Sequence, residues 1–271
     1  MENDAFLKER LKLDEQVMGI ADKNIKRFYN LDSTVYKNGV LSALTKEMLG
    51  LVSSLVLRCE DCIRYHINQC FNLGISDEEL SEIFSVGLIV GGSIVIPHLR
   101  KATGTWNELK VNAKNNFDKK STLTFLQNQI DIITKSSDSK EKKMQEIVVL
   151  LDRFIPYYDW TGFYLSDSEQ KKLVLGKFVG EPTDHKIIPF GKGICGQSAE
   201  TKEVTLVDDV LAEENYLACS LKVKSEIVVP ILSDTNIFLG ELDIDSHKKE
   251  AFTQEDEIFL KEICQKIAKI F

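Results

Sequence analysis

The chain has 271 residues, of which 43% are hydrophobic and 28% are charged, and its formal net charge at pH 7 is −8. This composition is typical of globular proteins, and the length favours two domains that each bury a core. Because nucleic-acid binding needs a basic surface that meets the phosphates, the acidic balance argues against nucleic acid as a partner.

The sequence shows no segment that would direct the chain to a membrane. The first ten residues lack the apolar core of a signal peptide. The longest apolar run, Ile83 to Ile96, is too short and too rich in glycine to span a bilayer. We therefore expect no membrane partner and a cytoplasmic location, where closely spaced cysteines are more often catalytic or metal-binding than structural.

The first part of the chain has apolar side chains at helical spacing and few turn signals. One amphipathic helix is predicted over Leu41–Val56, and the next ends at Asn72-Leu73-Gly74. The sequence Ser76-Asp-Glu-Glu79 predicts a capping box at the start of a third helix. These patterns predict an all-α helical bundle over residues 1–110.

The second part changes from helical to strand-like patterns. Residues 107–121 are polar and indicate a linker or the start of a new helix, and helical spacing returns over residues 122–135 and 141–154. Five short β-rich runs follow, separated by Gly, Pro and Asp clusters: Trp160–Ser166, Lys172–Phe178, Glu203–Val207, Glu226–Leu232 and Ile237–Asp243. A final helix is predicted over Thr253–Ile270. Helices that flank a central antiparallel sheet indicate an α+β domain over residues 120–271.

The first cysteine motif is Cys59-Glu-Asp-Cys62, with His66 one helical turn further on. On a helix these three side chains share one face. A thiol near a helix N-terminus is acidified by the helix dipole, and a nearby imidazole can take or return its proton. Because the thiolate is the attacking species in thiol–disulfide exchange, the motif predicts a redox-active dithiol.

Two other interpretations of this motif remain open. Cys59 and Cys62 can be small core residues, with His66 at the surface. A metal site would need a fourth ligand such as Cys70, but one helix cannot wrap four tetrahedral ligands around zinc. We expect Cys70 to lie in the core and no metal to be bound.

The spacing of Glu47, eleven residues, Cys59-x-x-Cys62 and x-x-x-His66 resembles the alkylhydroperoxidase D-like and carboxymuconolactone decarboxylase-like group. The resemblance covers about residues 35–105. It implies an all-α bundle that commonly forms homo-oligomers. It also implies that Cys62 is the attacking thiol and Cys59 its resolving partner, with Glu47 and His66 as the proton relay.

The second part contains aromatic and cysteine motifs of its own. Trp160-Thr-Gly-Phe-Tyr164 begins a predicted strand, and its rings can pack in a core or enclose a cation or a sulfur methyl group. Cys195 lies among three glycines, where the backbone can approach a ligand closely. The helical segment that follows indicates a helix N-terminus, which would favour the Cys195 thiolate.

Three acidic residues further along the second part of the chain are also candidate site residues. Asp243 and Asp245 fall on one face of a predicted strand because strand side chains alternate with period two. Solvent exposure is the ordinary expectation for such acids. Together with Glu226, which follows the loop cysteine Cys219, they can instead bind a primary ammonium group near reactive thiols.

Five sequence blocks within residues 120–271 resemble the GAF-domain free methionine (R)-sulfoxide reductases. The blocks are Trp160-Thr-Gly-Phe-Tyr-Leu, Ile188-Pro-Phe-Gly-Lys-Gly-Ile-Cys-Gly, Ala218-Cys219, Ser225-Glu-Ile-Val-Val-Pro230 and Leu242-Asp-Ile-Asp-Ser246. They occur in the order of that family and at nearly its spacing. The resemblance implies an α+β GAF domain that works as a thiol oxidoreductase, and we expect no cofactor.

The resemblance also implies a mechanism. A cysteine thiolate attacks the sulfoxide sulfur, while Glu226 and Asp245, with Asp243, hold the substrate and supply a proton to its oxygen. The resulting sulfenic acid condenses with a second cysteine. We assign Cys219 as the nucleophile and Cys195 as its partner, and the reverse assignment stays open.

Other residues and partners follow from the same resemblance. Trp160 and Tyr164 would enclose the methyl sulfoxide. Family members commonly carry a third cysteine where this chain has His185. Recycling is therefore expected through Cys195 and Cys219, or directly through an external thiol. The expected partners are free methionine sulfoxide and a thioredoxin-like or other dithiol reductant.

Three functional hypotheses follow. In the first, the second domain reduces free methionine (R)-S-oxide, and the Cys59/Cys62 dithiol returns electrons to it, in cis or across an oligomer. In the second, the helical domain is a CxxC-dependent peroxidase or decarboxylase-like enzyme that a ligand-binding GAF domain regulates. In the third, the chain is a non-catalytic GAF sensor.

Overall fold

The computed structural model describes residues 2–213, 215, 217 and 222–271. The chain divides into two compact units. The first unit extends to Asn115 and includes Ser136–Asp138, and the second consists of Asn116–Lys135 and Ser139–Phe271. Within the described ranges, no helix combines the length and the apolar character needed to cross a membrane.

The first unit is all-α, as the sequence predicts. Its helices are α1 Glu2–Ile20, α2 Lys23–Val35, α3 Ala43–Leu57, α4 Glu60–Asn72, α5 Asp77–Gly91 and α6 Ile96–Asn115. Helix α3 packs against α4 and α5, and α4 packs against α6. The first cysteine motif lies at the start of α4, next to the end of α3.

Local sequence sets the helix ends in this unit. The predicted capping box is confirmed at α5, where Ser76 and Glu79 satisfy each other's backbone N–H groups. Helix α4 ends next to Gly74, whose φ of 86° lies in the left-handed region that glycine adopts without strain. The predicted linker over residues 107–121 is mostly helical, because α6 continues to Asn115.

The second unit is an antiparallel sheet with helices on both faces, as predicted. Its helices are α7 Lys119–Thr134, α8 Lys140–Phe154, α9 Gly193–Thr201 and α10 Gln254–Ile267. Its strands are β1 Trp160–Asp167, β2 Lys172–Val179, β3 Ile187–Pro189, β4 Thr205–Val207, β5 Ser225–Leu232 and β6 Phe238–Ser246. The order across the sheet is β3-β2-β1-β6-β5-β4. Strand β3, only three residues long, was not predicted.

The two faces of the sheet have different chemistry because side chains alternate along each strand. On one face, Phe163, Leu242 and Ile244 belong to the main apolar core, which they share with α7, α8 and α10. On the other face, Trp160 and Tyr164 belong to a smaller cluster that α9 covers. The polar residues of interest lie on this second face.

Candidate active site

The register of the sheet brings three predicted site residues into one row. Trp160 of β1 lies directly opposite Asp245 of β6, and Asp245 lies directly opposite Glu226 of β5. Directly opposed residues of neighbouring strands point to the same face. A tryptophan and two carboxyl groups that are far apart in sequence thus become neighbours.

The Trp160 ring has a fixed position on this face. It lies over Gly162, where a Cβ atom would come within 2.3 Å of the ring. The ring stacks on Phe178 with 5.6 Å between centroids, and its Nε1 donates to the Glu181 carbonyl at 3.1 Å. Gly162 is also directly opposite Asp243, and the space that its missing side chain leaves is taken by the Trp160 ring.

Tyr164 continues the aromatic surface two residues along β1. Its ring stacks with Trp160 at 6.3 Å, and its hydroxyl donates to the His185 backbone carbonyl at 2.8 Å. The tyrosine is completely buried. The residue that stands at the family's third-cysteine position therefore contacts the aromatic pair through its backbone.

Cys195 is the third residue of α9, in agreement with the expected helix N-terminus. The helix approaches the preceding strand so closely that a Cβ on Gly196 would lie 2.5 Å from the Pro189 carbonyl oxygen. Gly193 has a φ of 67°, which a side chain would strain. The Cys195 thiol is 4% exposed and donates to Glu226 Oε1 at 3.7 Å.

The acidic residues are buried, so the expectation of ordinary solvent exposure is wrong for them. Glu226, Asp243 and Asp245 are between 1% and 3% exposed. Burial raises the pKa of Asp243 to about 7. Burial and then the charge of Asp243 raise the pKa values of Glu226 and Asp245 well above their usual range. Both oxygens of Asp243 and Oδ1 of Asp245 have no hydrogen-bond partner among the described residues.

Glu241 is a fourth buried carboxyl group that the sequence analysis did not single out. It lies on the same face of β6 as Asp243, opposite Tyr164 and Pro230. It is 0% exposed, and neither oxygen forms a hydrogen bond with a described residue. Burial, followed by the charge of Asp243, raises its pKa. The alternation of Glu241, Asp243 and Asp245 is a signal that could have identified it.

This site combines an aromatic surface, a thiol and excess buried acid. Such an arrangement can accept a primary ammonium group and can hand a proton to a bound oxygen atom. Cys195, Glu226 and Asp243 also offer ligand atoms that all lie within 4.8 Å of one another, close enough to hold a metal ion. The predicted nucleophile, Cys219, lies outside the described residues, so its pairing with Cys195 stays a prediction.

The first unit contains a separate thiol site. Cys59 and Cys62 form a disulfide with 5.3 Å between their Cα atoms. Cys59 is the N-cap of α4 and Cys62 lies in its first turn, and both are half-buried. Thiol chemistry at these positions is therefore accessible from solvent and lies at a helix N-terminus, whose dipole favours a thiolate.

Glu47 and His66, the two residues expected to relay a proton, contact each other in the same unit. His66 Nδ1 lies 2.6 Å from Glu47 Oε2, and both side chains are buried. Gly50 of α3 makes room for the imidazole, since a Cβ there would come within 2.5 Å of His66 Cε1. Cys70 lies in the apolar core, as predicted, and burial raises the pKa of its thiol.

Comparison with known proteins matches each of the two units to a protein family. The Carboxymuconolactone decarboxylase family matches residues 24–104, and the GAF domain family matches residues 144–271. Protein YtsP of Bacillus subtilis is 35% identical over 156 residues, which make up 58% of this chain and 94% of that protein.

Two further similarities involve named enzymes. Free methionine-R-sulfoxide reductase of Saccharomyces cerevisiae is 43% identical over 112 residues, which span 41% of this chain and 62% of the yeast protein. The structure of free methionine-R-sulfoxide reductase from Neisseria meningitidis, solved in complex with its substrate, matches with a TM-score of 0.54 and 33% identity, over 57% of this chain and 91% of that one. The chain therefore belongs to the GAF-domain family that includes the free methionine-R-sulfoxide reductases, and it carries a carboxymuconolactone decarboxylase family domain ahead of the GAF domain.

Proposed function

We propose that the second unit is an oxidoreductase that reduces free methionine (R)-S-oxide to methionine. The observation that carries the proposal is the group of buried carboxyl side chains beside Cys195 and Trp160. Several oxygens of these carboxyl groups have no hydrogen-bond partner among the described residues, and a cationic ligand would stabilise them. A free amino acid supplies that cation as its ammonium group. The similarity to the yeast and Neisseria meningitidis enzymes supports the same substrate.

A cavity beside the row of site residues supports a small substrate. It has a volume of about 180 Å³, and Trp160 and Asp245 form part of its wall. Further acids, Asp159 and Glu181, also line it. A space of this size suits a free amino acid, and the tryptophan ring offers a surface for the sulfur methyl group.

The proposed reaction converts one thiol and one sulfoxide into a sulfenic acid and methionine. Cys219 attacks the sulfoxide sulfur as a thiolate, and the sulfoxide oxygen passes to the cysteine sulfur while a carboxyl group of the site supplies its proton. Asp243 suits this proton transfer because burial places its pKa near neutral pH. The sulfenic acid then condenses with the Cys195 thiol, which releases water and forms a disulfide. A dithiol reductant restores both thiols.

The test is methionine formation by the full chain from each sulfoxide epimer. We expect turnover of the R epimer, no turnover of the S epimer, and loss of turnover in Cys219→Ser. The matched control is Cys264→Ser, because Cys264 is a buried core cysteine of the same unit. If the unaltered chain forms no methionine from the R epimer, the proposed function is wrong.

The same assay assigns the two cysteines. With Cys219 as the nucleophile, Cys195→Ser still forms about one methionine per chain in a single turnover and then stops, whereas Cys219→Ser forms none. The opposite pattern would reverse the two roles.

For the first unit, we propose that the Cys59/Cys62 dithiol exchanges with disulfides and reduces the second unit. The half-buried disulfide and the adjacent Glu47–His66 pair support this role, because exchange needs an accessible thiolate and a group that moves its proton. We assign this activity to a domain over residues 1–110 and the reductase to a domain over residues 120–271. An external dithiol protein would supply the electrons, and the chain would work as a homo-oligomer.

A second candidate function for the first unit is the reduction of hydroperoxides. The observation that favours it is the short contact between buried Glu47 and His66, which can deliver a proton to a leaving hydroxyl or alkoxide. Consumption of an organic hydroperoxide by the reduced full chain, absent in Cys62→Ser, would support it. A GAF sensor would instead bind methionine sulfoxide without forming methionine.

A further inference from the structure

Three possible metal-ligand atoms lie close together at Cys195. Its sulfur and one carboxylate oxygen each from Glu226 and Asp243 lie within 4.8 Å of one another, and all three side chains are buried. The Cys195 sulfur and Glu226 Oε1 are 3.7 Å apart. Two ligands at tetrahedral angles around zinc are separated by about 3.6 Å when one is sulfur and the other oxygen. This pair is therefore already at a spacing that a metal ion accepts.

Asp243 provides an independent indication of a ligand. The side chain is 1% exposed, and neither carboxylate oxygen has a partner in ordinary hydrogen-bond geometry among the described residues, although the Cys195 thiol is close enough to lower the pKa of the carboxyl group. A buried carboxylate without a partner costs folding free energy unless a cation or a donor reaches it. The unpartnered oxygens belong to the same group that approaches the Cys195 sulfur.

Among the groups that shift the pKa values of these buried acids in the described part of the chain, none is a lysine, arginine or histidine. The charged groups that raise the pKa values of Glu226, Glu241 and Asp245 are carboxylates, and the charge of Asp243 acts on all three. Such a site favours a bound cation whenever the substrate's ammonium group is absent.

We propose that Cys195, Glu226 and Asp243 form a binding site for a thiophilic divalent cation such as Zn²⁺. A sulfur and two carboxylate oxygens make three protein ligands, which leaves the fourth tetrahedral position for a water molecule or another ligand. The thiolate excludes Mg²⁺ and Ca²⁺ as the preferred ions, because these take oxygen ligands and higher coordination numbers.

Metal binding at this position would inhibit the reductase, and this consequence rests on the proposed function. The ion requires the Cys195 thiolate and releases its proton to solvent, so a bound ion holds the sulfur that must enter the disulfide. It also occupies the carboxylates that would bind the substrate's ammonium group. Zinc and substrate therefore compete for one site.

The experiment measures metal binding directly. The full chain carries Cys59→Ser and Cys62→Ser, so that the other dithiol contributes no ligand, and it is reduced with a phosphine and freed of metal. Zn²⁺ is titrated in competition with a chromophoric chelator, and Co²⁺ serves as a spectroscopic probe. We expect one ion per chain and a thiolate-to-cobalt charge-transfer band.

Single substitutions in that background locate the site. Cys195→Ser should remove the charge-transfer band and weaken zinc binding by more than about 100-fold, since even outer-shell changes cost about 10–100-fold. Asp243→Asn should weaken binding at least about tenfold and retain the band. Cys264→Ser, which removes a buried thiol away from the carboxylates, should change neither. Circular dichroism confirms that each variant is folded.

The outcomes separate the two proposals. Zinc binding that is unchanged in Cys195→Ser, or no binding and no cobalt band in the parent chain, overturns the metal site. Zinc binding that depends on Cys195, in a chain that does not reduce methionine sulfoxide, leaves the metal site intact and removes the proposed function. Turnover that zinc does not inhibit would show that the ion binds away from the substrate.

Discussion

Asp243 is a buried carboxyl group of the candidate active site, and its burial changes its ionisation. Its pKa of about 7 results from removal of the carboxyl group from water. Below this pH the carboxyl group is mainly protonated in the fold, and a bound cation would favour its charged form. The same property that suits it for proton transfer therefore makes it a source of pH-dependent stability.

The first prediction concerns this pH dependence. The folded pKa of Asp243 lies above its unfolded value of about 3.9, so the folded state binds more protons between these two values. The free energy of unfolding of the second unit should therefore be greatest at low pH within this window and fall as the pH rises toward 7. The expected loss is on the order of a few kcal/mol, and Asp243→Asn should reduce it.

Urea unfolding between pH 4.5 and 7.5 measures this effect. A Trp106→Phe background leaves Trp160 as the one tryptophan of the chain, and Trp160 reports on the second unit. Asp184→Asn is the control because this carboxyl group is exposed. If the free energy of unfolding changes with pH equally in Asp243→Asn and in its parent, Asp243 is not the source of the pH dependence.

At the scale of secondary-structure elements, close packing of α3 against α4 holds His66 against Glu47. Gly50 lies on α3, and a Cβ there would come within 2.5 Å of the His66 ring. We predict that Gly50→Ala separates His66 from Glu47. Dithiol exchange at Cys59 and Cys62 should slow by up to about 10²–10⁴-fold, the usual range for loss of general acid–base catalysis.

Reaction of the reduced full chain with a chromogenic disulfide measures this rate. Gly104→Ala on α6 is the matched control, because its new Cβ would meet no atom within 4 Å. An unchanged rate in a folded Gly50→Ala chain would show that His66 does not take part in exchange.

The first turn of α10 carries an ion pair between the buried Asp256 and the partly exposed Lys119. Asp256 is completely buried and accepts hydrogen bonds from Lys119 Nζ at 2.6 Å, Tyr157 Oη at 2.6 Å and the Thr253 backbone N–H at 2.8 Å. Asp256→Ala removes the acceptor of the partly exposed Lys119 ammonium, of the Tyr157 hydroxyl and of the Thr253 backbone N–H. We predict that it lowers the free energy of unfolding of this unit by about 3 kcal/mol, the sum of several lost hydrogen bonds of which one is charged.

The measurement is again urea unfolding followed by Trp160. Lys120→Ala serves as the control, since Lys120 is exposed and lies next to Lys119 in sequence. A loss below about 1 kcal/mol in Asp256→Ala, comparable to an exposed pair, would contradict the role of the ion pair.

Sequence patterns identify features whose cause is local. The capping box at Ser76 and the shared face of Asp243 and Asp245 depend on neighbouring residues, so periodicity predicts them. The row that joins Trp160 to Asp245 depends on strand register across more than 80 residues of chain, which no local pattern contains. The resemblance to a family, and not periodicity, supplied that grouping.

The features that the sequence analysis missed have physical reasons. Strand β3 is too short for alternation to be visible. Alternation places Glu241 on the same strand face as Asp243 and Asp245, but the burial of all three by the sheet and α9 is a tertiary property that no local pattern contains.

At the scale of the whole molecule, the proposed relay depends on the fact that one chain carries both thiol sites. Because the two sites are on one chain, the effective concentration of the dithiol at the second unit is high, provided that the two sites can reach each other. We predict that a chain with Cys59→Ser and Cys62→Ser loses most of its turnover with a thioredoxin system and recovers it when dithiothreitol reduces the second unit directly.

A mixing experiment separates transfer within a chain from transfer between chains. The chain that lacks Cys59 and Cys62 is combined with one that carries Cys195→Ser and Cys219→Ser, so that each supplies the site that the other lacks. Transfer within one chain predicts turnover per chain that is independent of concentration for the unaltered protein and rises with concentration for the mixture. Recovery that appears only after the two variants are unfolded and refolded together indicates transfer between subunits of an oligomer. Equal turnover in the unaltered chain and in the chain without Cys59 and Cys62 excludes the relay, because electrons then reach the second unit without the first.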